Sequence, residues 1–287
     1  MARANHILKM TRPGNALMAA ASVWLGGWVA GAKIDGPSLW LDGIAMGILA
    51  AAGNLHNDVI DLPVDRINRP DRPLPQGLVT LAQTRLFAGL LTLAALGIGF
   101  FRGTPQLLLF VCVTLLLFTY NRTLKGLPLV GNFVVALLCA SALWLPSLDP
   151  ALWPAGSSPL FLLPLILFSF LFTMIRELVK DMEDVEGDRA AHLRTFPIVA
   201  GVRASRLLAL LLLCLALVSP VFPVILGIYP WTFLAGTLFL VVPPTLGAML
   251  ALFPSRNDWH QSQKMLKFAM IGGLFASALA LKLSPFI

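Results

Sequence analysis

The chain has 287 residues, 57% of them hydrophobic and only 12% charged, with a mean hydropathy of +0.82. A soluble domain carries about 25% charged residues, so this composition excludes an ordinary soluble protein and points to a polytopic membrane protein. The net charge of +7 comes from Lys and Arg scattered between apolar runs, which fits membrane topology and anionic headgroups and speaks against a nucleic-acid partner.

The first 32 residues pair a basic lead with an apolar run and superficially resemble a signal peptide. Similar runs follow along the whole chain, so this one is read as a retained first span. A span needs about 20 apolar residues to cross about 30 Å at roughly 1.5 Å per residue. Nine are expected, over residues 14–32, 40–60, 81–101, 105–120, 128–147, 159–178, 205–226, 231–253 and 266–286. Prolines 220, 223, 230, 243 and 244 blur the seventh and eighth. The spans are apolar all round, so periodicity does not assign their lipid-facing sides. Cys112, Cys139 and Cys214 lie in apolar runs and are read as free, buried small hydrophobes. No linker marks a second domain, and residues 1–287 are read as one membrane domain.

With the N-terminus inside, eighteen of the 21 Lys and Arg fall on the inner side, leaving only Lys33, Arg102 and Lys282 outside. That asymmetry supports nine spans in the cytoplasmic membrane, and it places both acidic stretches of the chain on the cytoplasmic face. Outer connections such as 147–159 are poor in charge, whereas the inner ones after spans two, four and six are charged and motif-like.

The first acidic stretch, 54–77, carries Asn57, Asp58, Asp61, Asp65 and Asp71; the second, 176–197, carries Glu177, Asp181, Glu183, Asp184, Glu186 and Asp188. Ten of the fourteen acidic residues are in these two windows, and acids clustered at membrane depth mark function. Asn57, Asp61 and Asp65 are four apart, so a continuing helix stacks them on one face; Pro63 threatens that helix before Asp65. Asp184 and Asp188 repeat the spacing, with Asp181 at i−3. Stacked carboxylates repel unless a cation lies among them, and oxygen-only donors favour Mg²⁺ over zinc. Mg²⁺ takes one or two carboxylates and completes its shell with water and phosphate. Two acidic clusters facing one cavity therefore point to a metal clamp on a diphosphate, with Arg66, Arg69, Arg72, Lys125 and Lys180 neutralising the remaining charge. Apolar walls suit a substrate with a charged head and a hydrocarbon tail. His56 and His192 are read as structural or loop residues, and the aromatic and leucine side chains of 161–172 as packing or a tail-lining surface.

Asn57-Asp58-x-x-Asp61-x-x-x-Asp65 followed by Arg69-Pro70-x-Arg72-Pro73-x-Pro75-x-Gly77 resembles the first motif of the UbiA-type intramembrane prenyltransferases, and Asp184-x-Glu186-Gly187-Asp188 with Thr195-x-Pro197 resembles their second. Thr11-Arg12-Pro13-x-Asn15 and Tyr120-Asn121-Arg122-x-x-Lys125, ahead of Gly131-Asn132, are similar to further parts of the family. The resemblance covers essentially the whole chain and implies an all-α, nine-helix UbiA-like bundle. It implies Mg²⁺ held by residues drawn from Asn57, Asp58, Asp61, Asp65, Asp181, Asp184 and Asp188. It also implies an isoprenyl diphosphate bound with the help of Arg12, Asn15, Arg66, Arg69, Arg72, Tyr120 and Lys180, and catalysis by Asp61, Asp65, Asp184, Asp188 and Lys125. The run 176–191 is most similar to the digeranylgeranylglyceryl phosphate synthase branch, which implies a glycerol-phosphate ether acceptor and a C20 donor; His192 stands where that branch commonly has Gly. Aromatic acceptors of the quinone, tocopherol or chlorophyll type stay open. A cation-coupled transporter predicts acids near mid-membrane and inverted repeats, and neither is seen.

Overall fold

The structure, a computed structural model, describes residues 2–29, 36–149, 152 and 162–282. Lys33 and residues 30–32, 159–161 and 283–286 of the expected spans lie outside the described residues. Among the described residues every regular element is helical.

A short helix α1 (Ala2–Met10) precedes α2 (Pro13–Val29) and the long α3 (Pro37–Asn68). Helices α4 (Leu81–Arg102) and α5 (Thr104–Thr119) follow, and α5 runs into a π-helical turn at Tyr120–Leu124. Next come α6 (Val130–Trp144), extended by a 3₁₀ turn Leu145–Leu148, and α7 (Leu163–Glu183). The short α8 (Val185–Ala190) and α9 (Phe196–Ala200) lead into α10 (Val202–Val218) and α11 (Val221–Ile225). Helices α12 (Trp231–Leu240), α13 (Val242–Leu252) and α14 (Trp259–Lys282) end the described chain.

Each expected span meets a helix or a helix pair, but the count of nine is not confirmed. Five segments are long and apolar enough to cross a membrane: Pro37–Arg66, Leu81–Arg102, Thr104–Leu124, Val130–Leu148 and Val202–Ile225. A sixth is added if α12 and α13, bent by 41°, form one broken span. Pro243 and Pro244, in the first turn of α13, lack the N–H groups that would continue α12. The described part of α2 is 17 residues long, and the last turns of α7 are charged.

Two apolar cores organise the bundle. Val23, Leu39, Met46, Leu49, Phe110 and Leu145 join α2, α3, α5 and the end of α6. Phe172, Ile175, Leu178, Leu213, Leu252 and Leu266 join α7, α10, α13 and α14. A seam of Leu25, Leu143 and Leu165 connects them, where α2 and α7 flank α6. Large apolar side chains such as Leu93, Phe101, Ile225, Trp231, Phe239 and Phe275 point outward, far more than a soluble surface carries, as lipid contact requires. The three cysteines are free as expected; Cys112 and Cys214 sit on outward faces, whereas Cys139 faces α7 beside Thr173. In lipid an outward small apolar side chain is not exposed to water, so the same sequence pattern serves either place.

α3 has 32 residues, about 48 Å at 1.5 Å per residue, and outruns a hydrocarbon core of about 30 Å. Near its start Asp42, fully buried, accepts from Arg102 Nε at 2.9 Å, and the same guanidinium reaches Asp149 at 2.7 Å. This ion cluster ties α3, α4 and the segment after α6 together. The other end of α3 carries the first acidic motif.

Candidate active site

Proline at position 63 does not end α3, which continues to Asn68. The first motif therefore lies on a helix and not in a loop, and Asn54, Asn57, Asp58, Asp61 and Asp65 form one polar stripe along it. Helix continuity settles the placement of Asp65, because an isolated proline removes one backbone bond that long packed flanking turns can absorb.

Each carboxylate of the stripe meets its own partners. Asp61 Oδ2 accepts from Lys125 Nζ at 2.5 Å and from Asn57 Nδ2 at 2.8 Å. Asp65 accepts from Arg72 Nη1 at 2.6 Å. Asp58, 5% exposed, receives Arg12 Nη2 at 2.6 Å, and Arg72 lies 3.5 Å away. Asn54 completes the cluster by accepting from Arg12 at 3.2 Å and donating to the Thr11 carbonyl at 3.0 Å. Above it, Met10 and Ile7 of α1 pack with Leu55, Leu74 and Val79, so the N-terminal helix covers the flank of the motif.

Lys125 reaches Asp61 because α5 ends in a π-helical turn, whose extra residue closes Lys125 N–H onto the Tyr120 carbonyl at 2.9 Å. Tyr120 lies within electrostatic reach of Asp61, Glu177, Asp181 and Asp188. Gly131, at the start of α6, holds the return path close. A Cβ there would lie 3.1 Å and 3.2 Å from the carbonyl oxygens of Lys125 and Leu124.

The second motif closes against the first. Asp181, in the last turn of α7, accepts from Asn132 Nδ2 at 2.7 Å. Asp184 caps the break between α7 and α8 and meets Arg69 Nη2 at 3.4 Å, a bond that joins residues 115 apart. Asp188 follows one turn later, its N–H on the Asp184 carbonyl at 2.8 Å. Burial pushes the Asp188 carboxyl above the usual aspartate range and Asp184 adds to the rise, against the Thr195 hydroxyl, Lys125 and Lys180, which favour its charged form. Arg194 N–H donates to the Gly126 carbonyl at 2.9 Å, fastening this loop to the Lys125 turn. Lys125, Tyr120 and Arg69 thus bring both motifs to one place.

The other expected residues are exposed or meet other partners. Asn15 is exposed on the first turn of α2, and Arg66 is exposed on α3. Lys180 lies 3.6 Å from buried Glu177, which also pairs with Arg176. Glu183 turns to Gln263 and His260 of α14 and not to the first motif. His56 stacks on Phe118, ring centroids 5.1 Å apart. His192 takes φ 55°, a left-handed conformation that Gly adopts freely and His tolerates better than most residues. Asn54, Asn132 and Thr195 stood in the motifs without an assigned role. The signal for Asn54 was its i, i+4 spacing to Asp58.

Among the described residues no three His, Cys, Asp or Glu side chains are grouped tightly enough to hold an ion alone. The donors that Asp61, Asp65, Asp181, Asp184 and Asp188 present are all oxygens, the type that Mg²⁺ takes along with water and substrate phosphate.

Residues 18–271 match the UbiA prenyltransferase family, and the chain belongs to that family. It is an all-helical, integral membrane enzyme of the prenyltransferase class. Among its relatives, a digeranylgeranylglyceryl phosphate synthase of Methanopyrus kandleri is 35% identical over 94% of this chain and 96% of its own length. That of Natronomonas pharaonis is 33% identical over 98% of this chain and 96% of its own length. A solved structure described for digeranylgeranylglyceryl phosphate synthase in membranes matches 98% of this chain and 99% of its own, at 26% identity and a TM-score of 0.74. A UbiA homologue of Archaeoglobus fulgidus bound to GPP and Mg²⁺ shares the fold, with a TM-score of 0.67 and 15% identity over 95% of this chain and 99% of its own.

Proposed function

We propose that this enzyme transfers a geranylgeranyl group from its diphosphate to the hydroxyl of geranylgeranylglyceryl phosphate. The single domain would do so at the cytoplasmic end of a nine-span bundle whose N-terminus is inside. The observation that carries the reading is the alternation of charge around Lys125. Acids from two motifs, linked by the Arg69–Asp184 pair across 115 residues, meet at one place interleaved with Lys and Arg, the pattern that a diphosphate with its counter-ions needs. The names of relatives over 30% identical along nearly the whole chain favour the glycerol-phosphate acceptor.

Asn57, Asp61 and Asp65 on α3, with Asp181, Asp184 and Asp188 around the α7–α8 joint, would hold Mg²⁺. Bound there, Mg²⁺ supplies Lewis acidity and neutralises the diphosphate. Lys125 would follow the diphosphate as it leaves, exchanging its bond to Asp61 for one to a phosphate oxygen; Tyr120 would add a hydroxyl donor, and Lys180, within electrostatic reach of Asp181 and Asp188, a second ammonium. The allylic C–O bond breaks with its electron pair on the diphosphate. The acceptor oxygen would form the new C–O bond and pass its proton to the released diphosphate. Apolar helix walls around the hydrocarbon tail would limit the water that could quench the allylic cation.

The test uses purified protein in detergent with Mg²⁺ and radiolabelled geranylgeranyl diphosphate, offered geranylgeranylglyceryl phosphate or 4-hydroxybenzoate. Doubly prenylated glycerol phosphate is expected, lost in EDTA and restored by Mg²⁺. A labelled aromatic product alone would move the enzyme to the aromatic branch, and full activity in metal-free buffer would remove the metal clamp.

A further inference from the structure

Asp58 stands in the acidic motif but differs from its neighbours in what surrounds it. Its side chain is 7% exposed and lies beneath two guanidiniums: Arg12 bonds Oδ1 at 2.6 Å, and Arg72, bonded to Asp65 at 2.6 Å, stands 3.5 Å from the same oxygen. Those arginines keep 34% and 24% of their side chains exposed. Arg12 is also held in the left-handed region, φ 51°, at the corner between α1 and α2. That conformation is unfavourable for a long side chain and persists where the surroundings impose it. Here the imposing contacts are on α3: Asn54 grips the Thr11 carbonyl and the Arg12 guanidinium, and Asp58 takes the other guanidinium nitrogen. A divalent cation brought to Asp58 would face Arg12 already bound there and Arg72 close beside it.

We infer that Asp58 is a positioning residue and not a metal ligand: it seats Arg12 beside the Asp65-bound Arg72, and the two guanidiniums form a cradle for a phosphate group of a substrate. The inference rests on the phosphate-bearing substrates of the proposed reaction. Two guanidiniums anchored on the buried carboxylates of Asp58 and Asp65 keep further N–H groups for phosphate oxygens, the planar donor geometry that phosphate favours. The phosphate comes either from the donor diphosphate or from the acceptor.

The variant Asp58→Asn separates these roles. The expected result is a rise of about tenfold or more in KM for one phosphate-bearing substrate, with kcat changed less and the Mg²⁺ half-saturation concentration within about twofold of wild type. A rise in donor KM places the diphosphate in the cradle, and a rise in acceptor KM places the acceptor phosphate there. A Mg²⁺ requirement raised as far as in Asp61→Asn would overturn the proposal and make Asp58 a ligand; unchanged KM for both substrates would reduce the cluster to a structural clamp. Arg12→Gln leaves the buried carboxylate in place and is measured alongside in case Asp58→Asn does not fold. Calorimetric binding of inorganic pyrophosphate with Mg²⁺, and of glycerol 1-phosphate, to wild type and Arg12→Gln needs no turnover. Weaker binding of either ligand by the variant supports the cradle even if the prenyl acceptor proves different, and equal binding of both overturns it.

Discussion

Asp58, Asp61 and Asp65 lie within two turns of one helix, yet their nearest cations are Arg12, Lys125 and Arg72 respectively. Across the site Asp188 has the Thr195 hydroxyl and, further off, Lys125 and Lys180. Replacing Asp61 or Asp188 with Ala is expected to cut turnover by at least about a hundredfold while the protein still inserts and purifies as wild type; wild-type rates in either would remove that acid from the chemistry. Because burial raises the Asp188 carboxyl, it takes up a proton on acidification before an ordinary aspartate does. The apparent Mg²⁺ affinity should therefore fall as pH drops from neutral through that raised value, and Thr195→Val, which removes a group favouring the charged form, should shift the fall to higher pH. The sign for folding is opposite. In metal-free protein the folded state binds this proton more tightly than the unfolded chain, so Asp188 makes stability decrease as pH rises through the same window; thermal unfolding across pH in EDTA reads it. Spacing alone made the stripe on α3 and the Asp184–Asp188 pair legible. It could not reveal which cation meets which acid, because Arg12 and Asp58 are 46 residues apart and Asn132 and Asp181 are 49 apart.

At the scale of elements, the π-helical turn after α5 does what a loop of the same composition would not do. It fixes Tyr120 and Lys125 on one rigid segment, and α6 returns against its carbonyls at Gly131. Gly131→Ala should push the two apart and destabilise by about 1–3 kcal/mol, with KM for the diphosphate rising because Lys125 moves. Unfolding in detergent and steady-state kinetics measure both, and an unchanged KM would uncouple the turn from binding. The sequence displayed this turn as a charged inner loop, since nothing in Tyr-Asn-Arg-Thr-Leu marks a π over an α or a coil segment. Proline 63 is the converse case: a local breaker signal was overruled by the packing of the long helix around it. The Asp42–Arg102–Asp149 cluster went unread for a related reason. A lone Arg at the end of an apolar run is also what a loop topology signal looks like, and only the fold places Asp42 beside it.

For the whole molecule, the apolar runs and the order of the motifs were enough to foresee an all-helical membrane bundle with one polar end. The number of crossings was not, because helices that carry charge in their last turns and a pair broken at two prolines satisfy length and composition only in part. The long helix α3 unites both ends of this picture. Arg102 grips it at Asp42, and Arg12 and Arg72 grip it at Asp58, sixteen residues or about 24 Å further along the axis. These charged fastenings cannot slide into hydrocarbon without cost, so their separation acts as a ruler against the thickness of the bilayer. Reconstituted in phosphatidylcholine vesicles of graded acyl length, the enzyme should work best where the hydrocarbon core matches that ruler and lose activity in thicker and thinner membranes, as the misfit is taken up by tilt or by straining one fastening. A flat profile would mean that the two ends of α3 do not sense the membrane. An optimum would make lipid chain length a variable that sets the rate of an enzyme whose proposed product is itself a membrane lipid.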